Sequence, residues 1–213
     1  MAVDPGHNEV FTASFPNDAI FVYRRDADGD VAPIRIIHGP KTMLDRPIRV
    51  DVDPLNNIIA VVNDHSISFF NRTDNGDVAP KWVLGGQKVT VGGGGGSRDV
   101  RLYAEGKKII AGGTIRPPGS GGGGRGAGRG GAGAADGGGG RGGFGGGGPG
   151  VQRFVGVWNY GDTGDAMPLA VLNNNSITNI PGTRLALNPA GGDLIVGGDG
   201  QVSIYHLPEI FKK

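Results

Sequence analysis

The segment Asp28-Gly29-Asp30-Val31-Ala32-Pro33 returns as Asn75-Gly76-Asp77-Val78-Ala79-Pro80 and, more loosely, as Thr163-Gly164-Asp165-Ala166-Met167-Pro168. Pro33 and Pro80 lie 47 residues apart, and Pro80 and Pro168 lie 88 apart, with a glycine-rich tract inside the longer interval. Recurrence at such a spacing means that one supersecondary unit is used several times. The recurring residues are turn formers: Asp and Asn bond their own backbone, and Gly tolerates positive φ. Asp28, Gly29, Asp30, Asn75, Gly76, Asp77, Gly164 and Asp165 are therefore expected in structural repeat turns.

Short apolar runs bounded by Gly, Pro, Asn and Asp lie between these turns and read as strands. The first unit offers strands at 2–3, 9–12, 19–23 and 33–37, and the second at 48–52, 58–62, 66–70 and 81–84. The third offers 99–103, 107–111, 154–158 and 169–172; the fourth offers three, at 183–187, 193–196 and 201–205. Steps of 47, 88 and 47 carry Ile20 to Ile67, Val155 and Val202, and Val22 to Phe69, Val157 and Ile204. Strand residues two apart share a face, so this face is apolar in every unit and all eight residues are expected to be buried. The next column, Tyr23, Phe70, Trp158 and Tyr205, is aromatic and lies on the opposite face. It reads as packing between units rather than as a row that stacks a ligand. Four-stranded antiparallel units of this length that bury both faces are β-propeller blades. The expected architecture is all-β, with blades at 1–38, 47–85, 98–172 and 182–211 and an insertion at 113–153 inside the third.

Gly supplies 44 of the 213 residues, and 21 of these fall within 118–150. A tract of that composition cannot bury enough apolar surface to order itself, and reads as a flexible insertion in an exposed hairpin. Lys plus Arg number 21 against 20 Asp plus Glu, so no bulk charge favours nucleic acid or an anionic membrane. Without cysteine there is no disulfide, thiol catalyst or thiolate metal site, and the compartment stays open. No apolar run has the length of a membrane helix. The first residues, Met1-Ala2-Val3-Asp4-Pro5, carry no signal-peptide pattern in the chain as given.

Candidate sites are few. Asp26, Asp28 and Asp30 alternate like the first ligands of a calcium loop, but the positions requiring Gly and Glu hold Val31 and Ile37, so a turn is the better reading. His7, His38, His65 and His206 neither recur with the repeat nor show zinc-ligand spacing, and no metal or other cofactor is expected. No nucleophile elbow or phosphate loop occurs. The tract holds Arg125-Gly126, Arg129-Gly130-Gly131 and Arg141-Gly142-Gly143-Phe144, which resemble RGG segments. Arg125, Arg129 and Arg141 could pair with phosphate, and Phe144 could stack on a base. Three arginines and one aromatic make this the weaker reading, and nucleic acid is not the expected partner.

The run 29–37, the connector Gly39-Pro40-Lys41-Thr42 with Pro47, Val52-Asp53-Pro54 and the run 71–80 resemble the NHL-like bacterial β-propellers, a group that also looks like TolB-type propellers. The ending Leu207-Pro208-Glu209-Ile210-Phe211 is similar to the ending of such chains. The resemblance implies blades and no particular chemistry. It implies rings of about six blades, usually completed by an N-terminal strand, whereas about four are found here and nothing precedes Val3 to supply one. The expectation is an open or incomplete propeller: a piece of a longer ring, or a homo-oligomer in which blades of two chains meet. In function, the leading reading is a non-enzymatic binding or structural module for an unidentified protein or small ligand. The alternatives are RNA or polyanion binding through the Arg-Gly tract, and a lactonase-like propeller hydrolase or lyase.

Overall fold

The computed structural model describes residues 1–92, 99–115, 152–172, 184–198 and 200–212. They form four antiparallel sheets that follow one another in chain order. Sheet 1 contains β1 (Ala2–Asp4), β2 (Glu9–Ser14), β3 (Ala19–Arg24) and β4 (Arg35–His38). Sheet 2 contains β5 (Arg49–Asp53), β6 (Ile58–Val62), β7 (Ile67–Asn71) and β8 (Trp82–Leu84). Sheet 3 is built from β10 (Val100–Tyr103), β11 (Lys108–Ile115), β12 (Gln152–Asn159) and β13 (Ala170–Leu172). A fifth strand, β9 (Val89–Val91), pairs with the far end of β11. Sheet 4 has three strands, β14 (Arg184–Asn188), β15 (Asp193–Gly198) and β16 (Gln201–His206). Among the described residues helix is confined to three 3-10 turns, none long and apolar enough to cross a membrane.

Each meander follows from its turns. The first hairpin of every sheet closes on a residue with positive φ: Asn8 (57°), Asn57 (58°), Lys107 (48°) and Gly192 (71°). The residue that leaves the third strand then returns a backbone bond to that turn residue. These bonds run from Arg25 N to Asn8 O (2.9 Å), Arg72 N to Asn57 O (3.0 Å), Tyr160 N to Lys107 O (2.9 Å) and Leu207 N to Gly192 O (2.7 Å). The four sheets thus share one turn geometry, and Arg25, Arg72, Tyr160 and Leu207 are equivalent positions.

The sheets stack face to face, and the core lies between them as three layers. Phe11, Ile20, Val22 and Ile37 of sheet 1 meet Val50, Ile59, Val61 and Phe70 of sheet 2. Ile67, Phe69 and Leu84 on the other face of sheet 2 meet Val100, Ile109, Phe154 and Trp158 of sheet 3. Ile110, Val155 and Val157 on the far side of sheet 3 meet Leu185, Leu194 and Val196 of sheet 4. A sheet covered on both sides loses the in-out alternation of a surface strand. In β6, Ile58–Val62, every residue is accordingly buried. Burying each large aliphatic or aromatic side chain contributes about 1.5–3 kcal/mol.

The aromatic column packs between sheets as expected: Phe70 lies in the first layer, Trp158 in the second, and Tyr205 against the third. The apolar column is expected to be buried in every sheet, and in the last it is not. Val202 is 71% exposed and Ile204 is 67% exposed. Leu194 and Val196 on β15 point back at sheet 3, so the alternate residues Ile195 and Gly197, with Ile204 and Val202 paired to them, face the other way, where no further sheet lies among the described residues. Ile20 is fully buried against sheet 2, as expected, and Tyr23, on the opposite face of β3, lies on the outward face of sheet 1. Val202 and Ile204 on the outer face of sheet 4 are exposed and sheet 4 does not pair with sheet 1, so no closed ring is formed by the described residues.

The third-sheet hairpin is longer than expected. β11 runs to Ile115 and β12 begins at Gln152, and these two residues pair in register. The predicted insertion therefore has stem residues that belong to sheet 3.

The aromatic column offers a test of the layered core. Trp158→Ala should cost about 3–5 kcal/mol in denaturant unfolding. Tyr23→Ala, at the equivalent position on the outward face of sheet 1, should cost under ~1 kcal/mol.

Candidate functional site

The polar groups of the described residues concentrate where one sheet meets the next, in three recurring contacts. The first is made by the repeat that organises the sequence. Gly76 N donates to Ile36 O at 2.7 Å, and His38 N donates to Gly76 O at 3.2 Å, a parallel bridge from sheet 2 onto the last strand of sheet 1. Asn75 Oδ1 accepts from Ile36 N at 2.9 Å, and Asp77 Oδ1 accepts from Lys41 N at 2.7 Å. One sheet later, Gly164 N donates to Val83 O, Gly85 N donates to Gly164 O, and Asp165 Oδ1 accepts from Lys88 N (2.7 Å) and Val89 N (2.9 Å). The repeat is a clip between sheets. Gly39 and Gly86 leave room for it: a Cβ at Gly39 would lie 2.5 Å from Asp77, and one at Gly86 would lie 2.4 Å from Asp165. Gly29 and Asp30 form a bend in the same place on sheet 1, with Asp28 Oδ1 accepting from Gly29 N.

The second contact anchors the inner turns. β1, β5, β10 and β14 end in Asp4, Asp53, Tyr103 and Asn188. Arg72 reaches back from sheet 2 to sheet 1, placing NH1 at 2.5 Å from Glu9 Oε2 and Nε at 3.7 Å from Asp4 Oδ2. Arg35 holds the other Glu9 oxygen at 2.8 Å. At the equivalent place on sheet 3, Tyr160 OH donates to Asp53 Oδ2 at 2.6 Å. Burial, then the bonded Asp53 carboxylate, push the Tyr160 phenol far above its usual range. On sheet 4 the position is Leu207, which packs on the cluster that contains Tyr103.

The third contact is a charge ladder on the inner strands. Asp99, fully buried, accepts from Leu185 N of sheet 4 at 2.9 Å, with Arg49 Nε at 3.0 Å and Arg101 NH2 at 3.3 Å. Asp51 of sheet 2 accepts from Leu102 N of sheet 3 at 2.8 Å. Burial raises the Asp51 pKa, against the lowering influence of Arg101 and this backbone bond.

The histidines are dispersed. His7 Nδ1 is 2.7 Å from Asp4, His206 Nδ1 is 3.1 Å from Asp193, His65 sits beside Asp64, and His38 Nδ1 is 3.4 Å from Asp18 O. Asp26 pairs with Arg24 rather than with Asp28 or Asp30. Among the described residues no group of three or more His, Asp or Glu could hold a metal ion. Arg125, Arg129, Arg141 and Phe144 lie outside the described residues.

No family model matches the chain, and no curated protein is similar to it in sequence. Among solved structures, it resembles the Kuenenia stuttgartiensis hydrazine synthase at 14% identity with a TM-score of 0.52. The match covers 92% of this chain and 42% of that one, so this chain spans about two-fifths of that chain's length. At that identity the likeness is one of fold alone.

Two predictions follow from the anchors and clips. Arg72→Ala would strip buried Glu9 of one of its two guanidinium partners and leave buried Asp4 with His7, and should cost about 3 kcal/mol in equilibrium unfolding. The backbone donors of Val89 and Lys88 hold the Asp165 carboxyl below its usual range. A folded-state pKa below the unfolded one stabilises above the unfolded value, and that gain is lost as pH falls through the folded value. Stability should thus decline as pH drops below about 4, and Asp165→Asn, which keeps the accepting oxygen but cannot ionise, should flatten that decline in acid unfolding curves.

Proposed function

We propose that the four sheets are consecutive blades of an open β-propeller arc, and that the chain works as a non-enzymatic binding or structural module. The observation that carries this reading is where the buried acids go. Asp4, Glu9, Asp53 and Asp99 are each engaged by a side chain or backbone group of the following sheet. Groups that a catalyst would aim at a substrate here hold one sheet to the next. The repeating meander, the clips at fixed offsets and the fold likeness support the blade reading. Function on such a scaffold rests with its surfaces rather than with the fold.

The test uses the intact chain in two assays. Hydrolysis of a chromogenic ester and of an aliphatic lactone should not exceed the buffer rate, and saturable turnover would overturn the module reading in favour of a hydrolase. Binding to a homopolymeric RNA should be weak at low salt and unchanged in an Arg125→Ala, Arg129→Ala, Arg141→Ala variant. Tight, steeply salt-dependent binding lost in that variant would assign the function to the Arg-Gly tract instead.

A further inference from the structure

The two ends of the stack are complementary in the same terms that join its sheets. The outer face of sheet 4 carries Val202 and Ile204, which occupy the column that Ile20 and Val22 fill at the first interface and Ile67 and Phe69 at the second. At the rim of that face, Asn188 ends β14 and Asp193 opens β15, as Asp4 and Glu9 do on sheet 1. Asp193 is partly exposed, and it is held in place by Asn188 Nδ2 at 2.9 Å and His206 Nδ1 at 3.1 Å. The rim acid is therefore oriented, as Glu9 is by Arg35.

The outer face of sheet 1 carries the matching half. Tyr23 stands in the column of Phe70 and Trp158, and Val31 stands in that of Val78 and Ala166, both of which pack against the preceding sheet. Arg25 is the structural equivalent of Arg72, with its backbone fixed by the same bond to the hairpin turn. Arg72 spends its guanidinium on Glu9 and Asp4. The Arg25 side chain is exposed and has no hydrogen-bond or ion-pair partner among the described residues.

We infer that the chain associates head to tail with a second copy of itself. Sheet 1 of one copy seats on the outer face of sheet 4 of the other, and Arg25 enters the Asn188–Asp193 rim as Arg72 enters the Asp4–Glu9 rim. The charges match, the apolar columns match, and the docking repeats an interface that the chain already forms internally. The contact differs in one respect: sheet 4 has no fourth strand among the described residues, so the Gly29–Asp30 clip has no last-strand backbone to grip. The new interface rests on the anchor and the apolar columns. Because the joined faces are different, the contact is heterologous, and it closes a ring or extends as a filament according to the angle between sheets. This inference deepens the reading of the sheets as a propeller arc. The hydrolysis and RNA assays that test that function do not depend on association.

The experiment is sedimentation velocity on the intact chain across the micromolar range, with two variants on opposite ends. Arg25→Glu spoils the sheet 1 face, and Ile204→Glu spoils the sheet 4 face; both residues are exposed, so the fold should survive, as circular dichroism and the thermal midpoint would check. The wild-type chain should associate, and each variant alone should associate about tenfold or more weakly. An equimolar mixture of the two variants retains one undamaged pair of faces and should form one-to-one dimers. A monomeric wild type would overturn the inference, because the sheet 4 face would then belong to another occupant. Variants that associate as strongly as wild type, or a mixture that stays monomeric, would overturn it too, since the second result points to like faces pairing.

Discussion

The structure depends on the mutual cover of sheets that are apolar on both faces. No sheet here could exist alone: Ile58–Val62 has no face fit for water, and the Phe70 and Phe69 neighbours on β7 point in opposite directions into separate layers. Hydrophobic burial supplies most of the attraction but is not directional. Two greasy sheets could slide or pair in the wrong order at little cost. The polar contacts remove that freedom. A buried carboxylate meets its donor at one offset only, and leaving it unmet costs several kcal/mol even where the pair itself adds little net stability.

The strand pattern was legible because it obeys a short rule. Columns at fixed spacing placed Ile20, Ile67 and Val155 in the core, where they are. The same columns failed at Val202 and Ile204 for a clear reason: a column identifies a face, and only the neighbouring sheet decides whether that face is covered. The recurring Gly-Asp pair was visible as a turn former. Its role as a clip needs Asp77 beside Lys41, a contact across the chain that local turn chemistry does not reveal. Gly39 and Gly86 share the repeat spacing and each faces the aspartate of the next unit, so a signal was present in the connector.

Two features left almost no trace. The anchor column runs Arg25, Arg72, Tyr160 and Leu207, and its chemistry changes after the two arginines because Arg72, Tyr160 and Leu207 each meet a different socket on the sheet before. Strand β9 is only three residues, between Lys88 and Gly92, and it forms because the long β11 extends past β10 and leaves an edge to pair.

The unlike anchors have a consequence for how such a chain can change. Tandem units with similar coding sequence invite unequal recombination, which deletes or adds whole units in frame. Here the junctions are not interchangeable. Loss of the third unit would bring Leu207 against Asp53, which would then sit buried without the Tyr160 hydroxyl that bonds it. Loss of the second would set Tyr160 against Asp4 and Glu9, where a neutral phenol would replace a guanidinium facing two carboxylates. Each junction accepts its own neighbour and penalises the others, so the order of the units is inherited as a set rather than one at a time.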